Sequence, residues 1–330
     1  MKKVSIVTPV YKVEKYIGDC IQSVISQTYP SIEFVLVDDC GGDKSVDIIN
    51  DFISSTHKDG LEIKLIHHEH NQGVAAARSH AMQAATGDYI FCLDSDDMLK
   101  PECIEQLVDK MEETDADFVV CGFYSDKENA ELGGHLCAPV DRIEGNNACI
   151  HALAKCWFNV SPWCKLLKRS FVEQNHLYFR DGIINEDSPW TFQLCLKANK
   201  IAFLHKKLYF YRYNPNSIMS NKKQEKMNFA GLYTLQMMKE KLDERKDLKG
   251  NSDAYSIWMR QIVLFYTRVY ENFDFSVFSA YCRRMNSLKV SFSNMVKRPL
   301  YYKMWNLGFL VPNMLKPYYL SAIIKIQSYR

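Results

Sequence analysis

No run of 18 successive apolar residues occurs in this chain, so no transmembrane helix is expected. The N-terminal MKKVSIVTPVY resembles a secretion signal only in its two lysines. The apolar run after them is short and meets Pro9 at once, so no export is implied. The eleven cysteines include no CxxC pair. They are odd in number, and Cys92, Cys121 and Cys195 lie inside apolar runs, so they read as reduced core thiols of a cytoplasmic protein. Acidic residues are missing altogether after Asp274, where Arg283, Arg284, Lys289, Lys297, Arg298, Lys303, Lys316, Lys325 and Arg330 follow. The tail is therefore basic although the whole chain carries only +2. No recognised nucleic-acid module accompanies that charge, and nucleic acid is not an expected partner.

What is present is ordinary globular material: 330 residues, 47% apolar and 24% charged. That length suggests one large domain with an appendage, able to fold without a disulfide or metal staple. VSIVT at 4–8 and IEFVLV at 32–37 have the short, mostly apolar pattern of buried strands. Helical spacing runs over 14–27, with Ile17, Ile21, Val24 and Ile25 on one face, and again over 44–55. A strand at 63–66, a helix through AAARSHAMQAA and the strand DYIFCL complete four strand and helix repeats. Such alternation predicts an α/β fold with a mostly parallel sheet and helices on both faces. A helix at 101–114, a strand at 117–123, a polar Gly-rich loop or hairpin at 125–145, helices at 146–156 and 162–175, and two strands at 201–205 and 207–213 extend it. From about 222 the chain turns to long helical stretches. The reading is a domain over 1–221 and a helical region over 222–330.

Asp94, Asp96 and Asp97 fall within four residues, directly after the apolar strand of FCLDSDDMLKP. Carboxylates this close repel by about 1 kcal/mol per pair even in water. A hard divalent cation, Mg²⁺ or Mn²⁺, would offset that repulsion, since such ions take one or two carboxylates together with a substrate's phosphates. A solvated, acidic helix N-terminus is the plainer alternative. In parallel α/β sheets ligands bind beyond the carboxyl ends of the strands, where Thr8, Asp38, Asp39 and the 94–97 cluster all fall.

Five stretches in order, VSIVTPVYKVEKYI, QTYPSIEFVLVDDCGGDKS, NQGVAAARSHAMQAATGDYIFCLDSDD, PWCKLLKRSF, and NEDSPWTF with the later YRYNPNSIM, resemble family 2 glycosyltransferases of the GT-A fold over about 1–220. Two departures stand out: Lys12 where the family often has Asn, and Cys40, Gly41, Gly42, Asp43 where a Gly, Ser, Thr, Asp run is usual. The resemblance implies a Rossmann-like catalytic domain. It also implies transfer of a sugar, with inversion, from a nucleotide diphosphate donor, a UDP sugar by expectation, to a glycan or lipid-linked acceptor.

By that resemblance Asp187 is the base that takes the acceptor proton, with Glu186 as its helper. The first turn of a helix is the competing explanation for Asp187. Asp39 would accept from a pyrimidine N–H. Thr8, Pro9, Asn71, Arg78, Asp94 and Ser95 complete the nucleotide-binding set. Asp96 is the expected metal ligand, with Asp94 beside it, for Mn²⁺ or Mg²⁺; Asp97 is either a further member or a helix cap. Trp163, Lys165 and Trp190 either line a sugar subsite or pack in the core. His67, His68 and His70 read as a solvated loop in preference to a transition-metal trio.

The segment 283–330 interleaves basic and aromatic residues, a composition suited to an anionic membrane surface and so to peripheral attachment on the inner face of the plasma membrane. It is equally suited to packing on the catalytic domain or on a second subunit in a homo-oligomer. Two rivals remain. A sugar nucleotidyltransferase calls for a Gly-rich, Arg-containing loop where this chain has TPVYKVEKY, and a non-catalytic binding or scaffold protein would have lost Asp96 or Asp187.

Overall fold

The computed structural model describes residues 1–126, 136–182, 185–214, 225–248, 251–272, 275–284, 311 and 314–328. Part of the Gly-rich 125–145 stretch and most of the basic 283–330 tail lie outside the described residues. Two compact units emerge: Met1–Gly182 with Glu186–Pro215, and Ile183–Asn185 with Asn216–Arg330.

The first unit is built on a nine-stranded mixed sheet. Its parallel part comprises β1 (Val4–Val10), β2 (Ile32–Asp38), β3 (Leu61–His67) and β4 (Tyr89–Cys92), in the spatial order β3-β2-β1-β4. β1 and β2 are buried at every position, which is why their sequences are mostly apolar with no strict alternation, the polar Ser5, Thr8, Glu33 and Asp38 being buried among them. Helices α1 (Ile17–Ile25), α2 (Ser45–Ser55) and α3 (Val74–Ala84) connect these strands. α3 packs on β1 and β2 through Ala75, Ala76, Ala77 and Ala81, and these small side chains let its backbone come close. The first strand continues through Pro9 to Val10. Val7 O accepts from Leu93 N–H on the β4 side, so Pro9 also faces that side, where pairing has already ended at Val7 and Cys92; the missing N–H costs no ladder bond.

Beyond β4 the chain forms the short β5 (Met98–Leu99), α4 (Cys103–Thr114), β6 (Phe118–Ser125), β7 (Arg142–Glu144), α5 (Asn146–Ala154), β8 (Lys165–Lys168), α6 (Arg169–Gln174), α7 (Asp187–Lys197) and β9 (Lys200–Tyr211). Two expectations are corrected. The helix expected over 162–175 is divided, because Lys165–Lys168 inserts as an antiparallel strand between β4 and β6 and only Arg169–Gln174 is helical. Leu166 and Leu167 are both fully buried, one on each face of the sheet, and a run of four residues carries too little periodicity to distinguish strand from helix. The two strands expected at 201–205 and 207–213 are one, β9, whose pairing with β6 shifts register around Gly122.

In the second unit α8 (Glu225–Glu244), α9 (Ser252–Asn272) and α10 (Phe275–Arg284) pack in succession, and a further helix covers Lys316–Ser328. Trp258, Tyr266, Phe278 and Tyr281 form its interior, and the Trp258 indole N–H donates to Leu235 O at 2.9 Å. Among the described residues no helix is long and apolar enough to cross a membrane.

Candidate active site

The carboxyl ends of β1, β2 and β4 form one rim, and the predicted acids stand on it. Asp39 follows β2 and is 2% exposed. Its backbone N–H donates to Val10 O at 2.9 Å, which ties the ends of β2 and β1 together. Its carboxylate accepts from Gln72 N–H at 2.7 Å, from Gly73 N–H at 2.9 Å, and is met by His68 Nδ1 at 2.8 Å; Asn71 Nδ2 donates to Asp39 O at 3.1 Å. Asp43, two residues before α2, accepts from Ser45 N–H at the start of that helix and from Glu14 N–H in the loop before α1. Thr8 is fully buried, and its hydroxyl has no hydrogen-bond partner. Beside it Lys12 and Cys40 both hold left-handed backbone, at φ 53° and 57°, and a Cβ on Gly41 would lie 2.8 Å from Lys12 N. Strain of this kind gathers where a loop must hold one shape.

The histidine loop differs from expectation. His67 is exposed and reaches Asp38 at 3.2 Å, but His68 is 8% exposed and bonded at both ring nitrogens, to Asp39 and to His80 Nδ1 at 2.8 Å. It is a buried part of the rim and not solvated.

Arg78 is the hub. Its guanidinium, 4% exposed, meets Asp94 Oδ1 at 2.7 Å, Glu186 Oε1 at 2.6 Å and Asp187 Oδ1 at 3.6 Å. Burial pulls its pKa down, but the three carboxylates outweigh burial and hold it well above its ordinary value. Phe179 lies under the guanidinium at 5.3 Å, and Trp190 stacks on Phe179 at 4.6 Å. Asp187 is the first residue of α7, directly after the N-cap Glu186, and its Oδ1 lies 3.6 Å from the Arg78 guanidinium. Burial and the neighbouring Glu186 charge raise its pKa well above the usual carboxylate range, against the opposing pull of Arg78. Its Oδ1 is buried with no hydrogen-bond partner.

The acidic loop is held from β9 and the residues after it, which sequence reasoning missed. The Tyr209 hydroxyl donates to Asp97 Oδ2 at 2.5 Å and accepts from Asp94 N–H at 3.2 Å. Arg212 N–H donates to Asp97 Oδ1 at 2.9 Å, and Asn214 Nδ2 donates to Asp96 Oδ2 at 3.0 Å. YRYNPNSIM carried the signal for Arg212 and Asn214, as a motif without assigned roles, and Tyr209 lies two residues before it. Asp97 is 1% exposed and so belongs to the interior; burial and the charges of Asp94 and Asp96 push its pKa well up. Asp96 is raised too, by burial first and Asp94 second. Ser95 between them is buried.

Trp163, Lys165 and Trp190 pack as core, which corrects the sugar-lining expectation. Trp163 stacks on Tyr209 and Tyr211 at 4.8 and 5.7 Å, and the Trp190 indole N–H donates to Leu177 O at 3.0 Å. Lys165 is fully buried; burial lowers its pKa to about 8, and its ammonium donates to Asn159 O at 3.0 Å and to Ser161 O. These residues support the site from behind: Trp163 through Tyr209, and Trp190 through Phe179.

Among the described residues no three or more His, Cys, Asp or Glu side chains could hold a metal ion by themselves. Asp94 and Asp96 fit the other mode, one or two carboxylates sharing a cation with substrate phosphates. One buried guanidinium faces three carboxylates, with Asp96 and Asp97 adjacent, so the rim carries an excess of negative charge that a divalent ion would balance.

The sheet order and the acids at its carboxyl rim define an α/β protein of the GT-A class. The fold matches Staphylococcus aureus TarS 1-349 in complex with UDP-GlcNAc, with a TM-score of 0.63 at 22% identity, over 98% of this chain and 88% of that one. It also matches the mannosyltransferase PcManGT from Pyrobaculum calidifontis in complex with GDP-Man and Mn²⁺, with a TM-score of 0.58 at 14% identity, covering 98% and 86%. The chain belongs to glycosyl transferase family 2, whose model matches residues 5–175, and it is a glycosyltransferase. Glycosyltransferase GlyG of Streptococcus pneumoniae serotype 4 is 32% identical over 231 residues, covering 66% of this chain and 72% of GlyG. The poly(ribitol-phosphate) beta-N-acetylglucosaminyltransferase TarS is 27% identical over 216 residues, 64% of this chain but 35% of TarS.

Proposed function

We propose that the chain transfers a sugar, with inversion, from a UDP sugar to a hydroxyl of a glycan or lipid-linked acceptor in the building of a surface polysaccharide. The observation that carries this reading is the Arg78 bridge, which joins Asp94 on the donor side to the Glu186 and Asp187 pair on the other. Asp39 reads the nucleobase through an N–H on its edge, and the loop of Asn71, which donates to Asp39 O, stands at the same rim. Asp94 and Asp96 would hold Mn²⁺ or Mg²⁺, which when bound offsets the charge of the departing diphosphate. Asp187 takes the proton of the attacking hydroxyl. Arg78, 3.6 Å from its Oδ1, keeps it aimed. Glu186 anchors Arg78 and thereby orients its neighbour.

UDP-GlcNAc bound to TarS, and the polymer in that enzyme's name, support the donor and acceptor classes. The Mn²⁺ complex of PcManGT supports the cation. On this reading residues 1–221 are the catalytic domain of a cytoplasmic enzyme. Residues 222–330 serve contact with an anionic membrane or a second subunit, through the basic, aromatic composition of 283–330. The test is Asp187→Asn. UDP binding in the presence of Mn²⁺ is expected to stay near wild type while sugar transfer falls by about 10²–10⁴-fold. Near-normal transfer would dismiss Asp187 as the base. UDP, GDP and CMP stabilising the protein equally, or not at all, would dismiss the UDP donor.

A further inference from the structure

Among the described residues His68 is the one side chain that donates to the Asp39 carboxylate; the other two donors are the backbone amides of Gln72 and Gly73. Three of the roughly four lone-pair positions of that carboxylate are thereby filled, two on Oδ1 and one on Oδ2. A single acceptor position is left, on Oδ2. A carboxylate has no proton to give, so the proton of the His68 contact sits on Nδ1, and His68 Nε2 is then the acceptor for His80 Nδ1–H at 2.8 Å. The two imidazoles meet edge to face at 4.9 Å and 81°, with His68 buried and His80 half-buried. The His68 backbone is itself fixed, since its N–H donates to Asp38 O at 2.9 Å and its carbonyl accepts from Cys40 Sγ at 2.8 Å. With a neutral His68 ring, the line Asp39, His68, His80 has one proton per link.

We infer that His68, braced by His80, is a positioning residue for the donor base: it holds the Asp39 carboxylate in the rotation that presents the remaining Oδ2 acceptor to a ring N–H of the nucleobase. A base with that N–H, such as uracil, is accepted, and cytosine, whose ring N3 bears no proton, is disfavoured. This rests on the reading of Asp39 as the nucleobase contact.

The experiment is calorimetric titration of the full chain with UDP and with CDP, each with Mn²⁺. His68→Phe is expected to weaken UDP by about tenfold, the effect of one hydrogen bond to a charged group, and to leave CDP within about twofold, so the preference for UDP collapses. His68→Asn, which restores an N–H near the Nδ1 position, is expected to stay within about threefold of wild type for both. His80→Leu should narrow the preference to an intermediate value. General loosening of the fold would weaken both nucleotides together and leave their ratio in place. An unchanged UDP to CDP ratio in folded His68→Phe overturns the inference; should that variant not fold, an unchanged ratio in His80→Leu does so. Asp39→Asn separates the two levels. If it abolishes the preference while the histidine variants keep it, only the role of His68 is lost. If it leaves the preference intact, the Asp39 reading falls as well.

Discussion

The Arg78 guanidinium lies 2.7 Å from Asp94 and 2.6 Å from Glu186, and so binds the end of β4 to the start of α7 through one buried cation. Removing a partner from a buried ionic group leaves the others uncompensated, which is more damaging than losing an exposed pair. Arg78→Ala is expected to destabilise the protein by about 3–5 kcal/mol, measured by denaturant unfolding. Arg78→Lys keeps the charge but cannot reach two carboxylates with a planar fork. It should fold, with transfer reduced by about 100-fold through misplacement of Asp187. Full transfer in folded Arg78→Lys would show that the bridge does not aim the base.

Asp96 keeps one oxygen for Asn214 and leaves the other without a partner from another described residue. Asp96→Asn is expected to lower Mn²⁺-supported UDP affinity at least about tenfold and to leave metal-free UDP binding unchanged. Chelation of wild-type protein should reproduce the same loss. Equal Mn²⁺ enhancement in variant and wild type would remove Asp96 from the cation site.

Tyr209→Phe deletes a hydroxyl that bridges Asp97 and the Asp94 backbone but keeps the ring stacked on Trp163. Asp97 would then lose a donor in the interior, at a cost of about 1–3 kcal/mol in unfolding free energy. Mn²⁺-supported UDP binding should weaken alongside, because the acidic loop loses its tie to β9. A variant as stable as wild type, with unchanged binding, would show the hydroxyl to be dispensable.

Glu33 gives a prediction away from the rim. Its side chain is fully buried in β2; burial alone would raise its pKa, but Lys64 at 2.6 Å with the bonds from Ser5 and Thr86 outweighs burial and lowers the value to about 2. A carboxylate depressed on folding adds stability above its unfolded pKa, and that stability is lost as pH falls through the folded value. Urea unfolding should therefore show a loss on the order of 3 kcal/mol between about pH 4.5 and pH 2, absent in Glu33→Gln. If the two proteins differ as much at pH 2 as at pH 7, the Lys64 pairing is not the cause.

The β/α repeats were legible because buried strands and amphipathic helices write their type into a few consecutive residues, as β1, β2 and α1 do. KLLK at 165–168 was not, since four residues fit either period and its partners β4 and β6 are distant in the chain. The same limit applies to side chains. HHEHNQG does not reveal that His68 turns inward to Asp39 while His67 stays exposed, because the choice depends on α3 bringing His80 alongside.

By itself the sequence determined a mostly parallel α/β domain, the family, and the arrival of Asp39, Asp94 and Asp96 at one rim, because each strand delivers its next residues to its own carboxyl end. Only the tertiary structure decided which charges meet. Arg78 and Glu186 are 108 positions apart, and Tyr209 and Asp97 are 112. Burial made the same kind of decision for Trp163, Lys165 and Trp190, placing them behind the rim. Local patterning encodes which element a residue belongs to; the neighbour that element presents depends on the order of strands in the sheet, which no short window of sequence contains.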